Sequence, residues 1–206
     1  MSAVRLRRAA VAVALSLALG GCATAPVSVA APASPIATTT PVVAAPPSSP
    51  PPPGFTQPRE CAAMLAPQRL DEFDRDGREL LGGPGGRYEG DYLIDETPEE
   101  QAGGITCIWG DESDPATTIT ISVAPLGADT RPGVVADLRA QGLNEQTLDD
   151  FVRFGQLGDT VSSPAILNVL REDSWISIID ARGGETVFDR VVTIADEVAR
   201  VVYGAS

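Results

Sequence analysis

Residues 58 to 206 read as an α+β domain, an antiparallel β-sheet with helices packed against it. Three observations predict this fold class. Thr118-Ile-Thr-Ile-Ser-Val123 alternates strictly between polar and apolar residues, the period of a strand with one face buried. Ala165-Ile-Leu-Asn-Val-Leu170 and Ser174-Trp-Ile-Ser-Ile-Ile179 flank the short polar turn Arg171-Glu-Asp173 and predict a hairpin. Val187, Val191, Ile194, Val198 and Val201 step by four, three, four and three, the stripe of a helix laid on a core.

The elements follow in order. A helix is expected from Glu60 to Asp74, with Met64, Leu65, Leu70 and Phe73 as its apolar positions. In Ile105-Thr-Cys-Ile-Trp109, alternate residues Ile105, Cys107 and Trp109 share one strand face. Asp111 to Ala116 supplies a turn to the alternating strand at 118–123, whose Ile119, Ile121 and Val123 face the core. A helix from Pro132 to Gln141 carries proline in its first turn and stops at Gly142. The hairpin at 165–179 leads to a final helix, Thr186 to Tyr203, with Thr186 and Asp189 placed as a capping box and Asp196–Arg200 as an i,i+4 pair. Two strands and a helix, twice, predict a ββα-ββα pseudo-repeat.

The 57 residues ahead of this domain divide into two. A basic stretch, Arg5-Leu-Arg-Arg8, precedes an apolar run from Ala9 to Leu19. That run falls short of the roughly 20 residues needed to cross a bilayer and suits the core of a secretory signal peptide at 1–21. It closes on Leu19-Gly-Gly-Cys22, which resembles the lipobox of bacterial lipoproteins. The resemblance implies cleavage before Cys22, lipidation of its sulfur, as with palmitate, and attachment at the outer face of the cytoplasmic membrane. Two or three acyl chains anchor durably where one holds only marginally.

Residues 22–57 follow as a tether of Ala, Pro, Ser, Thr and Val that ends in four consecutive prolines before Gly54. Closely spaced prolines favour polyproline II, at about 3.1 Å per residue, so some 35 residues reach roughly 100 Å. Thr38-Thr-Thr40 and Ser48-Ser49 are where O-glycosylation would fall. An unmodified linker is the simpler reading.

Charge narrows the partners. All 15 basic residues are Arg, three of them in the signal peptide, which leaves 12 against 28 acidic residues and a mature net charge of −16. Such a chain has no electrostatic attraction for nucleic acid. Acidity also keeps an exported domain soluble. The absence of His removes the Ser-His-Asp triad, imidazole metal ligands and a switch near neutral pH. The absence of Lys removes Schiff-base chemistry and the Walker A loop. Carboxylates, tyrosine, arginine and backbone amides are what remain.

With Cys22 assigned to the lipobox, Cys61 and Cys107 form an even pair in an oxidising compartment, which predicts a disulfide. The segments Cys61-Ala-Ala-Met-Leu65, Cys107-Ile-Trp109 and Gly155-Gln-Leu-Gly-Asp159 together resemble a family of small actinobacterial lipoproteins whose domain has no assigned function. The resemblance spans most of 58–206 and implies an antiparallel sheet flanked by helices. It carries over no catalytic residue.

Other candidate motifs fail on their own chemistry. Asp71-Glu-Phe-Asp-Arg-Asp-Gly77 has the opening of a calcium loop, but Gly83 stands where the bidentate Glu belongs. Gly82-Gly-Pro-Gly-Gly86 lacks phosphate-loop spacing, with no strong strand before it, and reads as a flexible loop. No metal or cofactor is expected. Trp109 and Trp175 occupy inward-facing strand positions and read as core. Tyr88 and Tyr92, beside the glycine loop, are the candidates for an exposed ligand contact.

The expectation is therefore a non-enzymatic binding or interaction domain, lipid-anchored and held on a long tether toward an envelope protein or polymer. The alternatives are a carboxylate-dependent enzyme acting on envelope polymers and a small-ligand carrier.

Overall fold

The computed structural model describes residues 54–204. The expected signal peptide, Cys22 and most of the segment read as a tether lie outside the described residues. The last residues assigned to that segment do not. Phe55 donates its amide to Asp173 at 3.0 Å, and Thr56 donates to the carbonyl of Val202 at 2.8 Å.

The domain is a seven-stranded antiparallel sheet with four helices and one disulfide. In chain order the elements are α1 (Pro67–Arg75), β1 (Glu79–Gly82), α2 (Pro98–Gln101), β2 (Ile105–Asp111) and β3 (Asp114–Pro125). They continue with α3 (Arg131–Ala140), β4 (Asn144–Thr147), β5 (Val152–Gln156), β6 (Ala165–Leu170), β7 (Ser174–Asp180) and α4 (Glu185–Val202). The sheet runs β1-β2-β3-β7-β6-β5-β4. Two meanders thus meet at the β3–β7 pair, so β2-β3-α3 and β6-β7-α4 repeat in strand order. Their packing does not repeat, because α3 and α4 cover opposite faces.

One face is an apolar core. Ile119, Ile121 and Val123 of β3 meet Ile176 and Ile178 of β7 and Leu167 and Val169 of β6 beneath α4. Each such side chain contributes roughly 1.5–3 kcal/mol on burial. The α4 stripe is Val191, Ile194, Ala195, Val198 and Val202. Val201 is more than one-third exposed, and Val202 takes the buried place expected of it, because four residues from Val198 complete the turn more nearly than three. The helix begins at Glu185 after Gly184, with no side-chain cap, so Thr186 and Asp189 do not form the expected box. Asp196 pairs across to Arg153 at 3.2 Å rather than along the helix to Arg200.

The expected first helix is interrupted. A 3₁₀ turn, Cys61–Met64, gives way to extended Leu65 and Ala66 before α1 starts at Pro67. A proline disfavours helical geometry in the residue before it and suits the first turn of a new helix. The turn seats Cys61 against β2, where it is bonded to Cys107 with the Cα atoms 5.6 Å apart. Closing a loop of 46 residues is worth about 4 kcal/mol from chain entropy. Trp109, two residues on, packs its ring against Phe73 of α1 at 5.6 Å.

Strands β1, β4 and β5 had no clear sequence signal. A four-residue strand does precede the glycine-rich loop, and that loop turns beside the disulfide, with Cys61 donating its amide to the carbonyl of Pro84 at 3.2 Å. Strand β4 is wholly exposed at the sheet edge, so its polar residues show no alternation.

Two buried charged side chains, Asp180 and Arg78, sit under the apolar face. Asp180, at the end of β7, is fully buried, with Arg190 of α4 bonded to it and the guanidinium groups of Arg78 and Arg182 each 3.9 Å away. Burial holds the Arg78 guanidinium below its ordinary pKa, helped by the neighbouring charge of Arg190.

Candidate functional site

The opposite face of the sheet contains the candidate site. A row in direct register crosses four adjacent strands there: Thr106 of β2, Ser122 of β3, Ser177 of β7 and Asn168 of β6. All four are at least 95% buried. Antiparallel strands normally turn such residues to water and fill the covered face with apolar side chains. Here the polar row lies under cover.

Two helices cover it. On one side α3 packs Leu138 against Leu143, Phe154 and Trp175. On the other side lies the four-residue helix α2, whose register is set by a capping box. Thr97 accepts from the Glu100 amide at 3.2 Å, and the Glu100 carboxylate accepts from the Thr97 amide at 2.9 Å. Because Glu100 turns back to the cap, the preceding Glu99 is the one directed at the sheet. Gly104 makes the approach possible, since a Cβ there would lie 2.4 Å from the Val123 carbonyl and 2.6 Å from the Ala124 Cβ.

The buried polar groups are linked. The Thr97 and Thr106 hydroxyls are 2.7 Å apart, and those of Thr106 and Ser122 are 2.9 Å apart. Trp175 donates its indole N–H to Asn168 Oδ1 at 2.8 Å. Glu99 is 6% exposed. Burial pushes its carboxyl above the ordinary value, while its own backbone amide and the hydroxyls of Ser177 and Thr97 pull the other way. A buried carboxyl that ionises reluctantly is a feature of binding and catalytic sites as well as of structural networks.

Between α2 and α3, all of these groups but Thr106 line a cavity of about 370 Å³. Ser122, Asn168 and Ser177 supply its polar floor, and Leu138, Ile166 and Ile179 its apolar walls. Glu99 and Asp137 are its carboxylates. A second cavity, of about 550 Å³, also borders α2 and carries Glu89, Asp91, Asp95, Glu96 and Glu100. Neither cavity is lined by an arginine.

The residues singled out from the sequence fall in separate places. Cys22 lies outside the described residues. Cys61 and Cys107 form the expected disulfide on the apolar side. Tyr88 and Tyr92 approach each other at 6.1 Å between rings, with the Tyr88 hydroxyl bonded to Glu112. Tyr92 borders the acidic cavity, which Thr106 of the polar row also lines, and neither tyrosine lines the cavity between α2 and α3. The two tryptophans part company. Trp109 is core, while Trp175, almost fully buried, also forms a wall of the cavity.

The segments that carry the family resemblance serve the fold. Cys61 and Cys107 join, and Trp109 packs on Phe73. Gly155 lies under the Phe188 ring of α4, where a Cβ would come within 2.9 Å of it. The Asp159 carboxylate accepts from the amides of Val161 and Ser162 at 2.8 and 2.6 Å. Those amides, Ser162 first, hold its carboxyl below the ordinary range.

Glu99 and the polar row escaped the sequence reading. The Thr-x-x-Glu spacing at 97–100 is a visible capping signal, but it names Glu100 and leaves Glu99 unmarked. Among the described residues, no group of three or more His, Cys, Asp or Glu is arranged to hold a metal ion. Nor is any helix there long and apolar enough to cross a membrane. Comparison with protein-family models, curated proteins and solved structures found no match for this chain.

Proposed function

We propose that this chain is a lipid-anchored, non-enzymatic binding protein of the cell envelope that takes a small ligand into the cavity between α2 and α3. The observation that carries the reading is the covered polar row. Thr106, Ser122, Ser177 and Asn168 stand where isoleucine and leucine would pack the face more tightly, and an open cavity adjoins the last three. Groups that can offer hydrogen bonds at the floor of an otherwise apolar cavity orient a ligand. At about 370 Å³ the cavity suits a small molecule better than a polymer chain.

The signal sequence, the lipobox resemblance at Cys22 and the proline-rich segment support display away from the membrane surface. On this reading Cys22→Ala abolishes membrane association and the mobility shift that lipidation produces. A Cys22→Ala chain that remains membrane-bound and unshifted removes the anchor from the proposal.

The cavity is tested by thermal-shift screening of a small-molecule library against the full chain and against Ser177→Leu. Ligands are expected to stabilise the former and to lose their effect on the latter. Ligands that stabilise both equally place binding elsewhere, and a library without hits contradicts the reading. Turnover of a hit, abolished by Glu99→Gln, would instead favour an enzyme using Glu99 with Asp137.

A further inference from the structure

The charge distribution around α2 narrows the ligand class, and the narrowing rests on the reading above. Twelve arginines follow Cys22 in the sequence, yet none lines either cavity bordering α2. Glu99 and Asp137 line one cavity and five carboxylates line the other. An anion entering here would meet only like charge in a partly desolvated space, where charge–charge terms are stronger than in water. From this geometry we infer that the cavity takes a small amphipathic cation, with an ammonium group at Glu99 and an apolar body along Leu138, Ile166 and Ile179.

Each part has a partner on the page. Glu99 is the buried carboxylate that α2 sets over the cavity floor, and Ser177 and Asn168 of the polar row are further acceptors for ammonium hydrogens. The three aliphatic side chains offer a surface that a fully hydrophilic cation would leave unused. The acidic cavity on the same helix raises the local concentration of cations near the opening. Burial disfavours the Glu99 carboxylate in the empty cavity, and a bound cation restores it, so binding releases a proton wherever the carboxyl is still protonated. Besides Ser177 and Thr97, the neighbouring charge that raises the Glu99 pKa is Glu100 on α2, and Asp137 of α3 lines the same cavity. From the strands, Thr120, Ser122, Asn168, Trp175 and Ser177 face the cavity with uncharged side chains.

The two tryptophans provide the measurement. Trp175 lines the cavity and Trp109 is buried on the other face, so their indole N–H resonances in the ¹⁵N-labelled full chain form a probe and an internal control. Phenethylammonium, 2-phenylethanol and 3-phenylpropionate serve as matched cationic, neutral and anionic probes. Phenethylammonium is expected to shift Trp175 and leave Trp109 in place, and to bind at least about tenfold more tightly than the alcohol, a difference of about 1.4 kcal/mol. The propionate is expected not to bind. Glu99→Gln, an isostere that leaves no charge in a buried place, should abolish the cation's advantage over the alcohol.

Equal binding of alcohol and ammonium, or preference for the anion, overturns the cation inference and leaves the cavity reading standing. Shifts confined to residues 89–96, with Trp175 still, place the cation in the acidic cavity and also overturn it. If none of the three moves Trp175, the inference and the cavity reading fail together.

Discussion

Beneath α4, the row that crosses β2, β3, β7 and β6 reads Cys107, Ile121, Ile178 and Leu167, whereas the neighbouring residue on each strand gives Thr106, Ser122, Ser177 and Asn168 on the other face. Both rows are buried, and they are built from the same backbone. The apolar row is closed by the 18-residue α4 together with the Cys61–Met64 turn and α1, which pack into one core, while the polar row lies between two separate helices with a cavity beside it. Apolar burial rewards tight, non-directional packing. Hydroxyls and amides reward only partners at set distances, which leaves room for a ligand to supply some of them. Stability is therefore concentrated on one face, and the capacity to bind on the other.

The largest expected break is at Asp180. Replacing it by Ala strands Arg78 and Arg190 against the apolar core, and removal of one partner from a buried charge group costs about 3–5 kcal/mol. Denaturant unfolding should show that loss, and a change under about 1 kcal/mol would mean that water already reaches the cluster.

A matched pair comes next. Ile121→Ala leaves a hole under α4 and should cost about 2–5 kcal/mol. Ser122→Ala, the adjacent residue on β3, removes a hydroxyl bonded to Thr106 and should cost about 1 kcal/mol. Equal losses in chemical denaturation would end the distinction between the faces.

The smallest effect is at Glu99, and it has the opposite sign. Below the ordinary value of 4.5 the carboxyl is protonated in both folded and unfolded chains, so its burial carries no ionisation cost. As pH rises through the raised folded-state value, the unfolded chain ionises more readily and stability falls. Glu99→Gln should therefore unfold at a higher temperature than wild type at neutral pH, with the gap closing as pH drops toward 4.5. A gap that widens in acid would mean the carboxylate is stabilised by its surroundings.

Much of the apolar face was legible in the sequence, because its signals are local. Ile119, Ile121 and Val123 alternate, and the final helix repeats its valines at helical spacing. The departures there were local too. Pro67 split the first helix, and Val202 rather than Val201 completed the stripe. The polar face was not legible. Ser122 and Ser177 look like ordinary solvent-facing residues of alternating strands, and nothing in either segment says that helices cover them. Glu99 is one of three glutamates between residues 96 and 100, and only its place in the capped turn singles it out.

The sequence by itself determined the strand and helix periods, the pairing of Cys61 with Cys107, and the acidic, His-free and Lys-free chemistry with which any site must work. Those depend on residue identity and on spacings within one segment. Only the tertiary structure decided that β3 and β7 lie side by side, bringing Ser122 opposite Ser177, and that α2 sets Glu99 above them. Register between residues as far apart in the chain as Ser122 and Ser177, and the side of a sheet on which a four-residue helix settles, come from packing of the whole core, which no local pattern encodes.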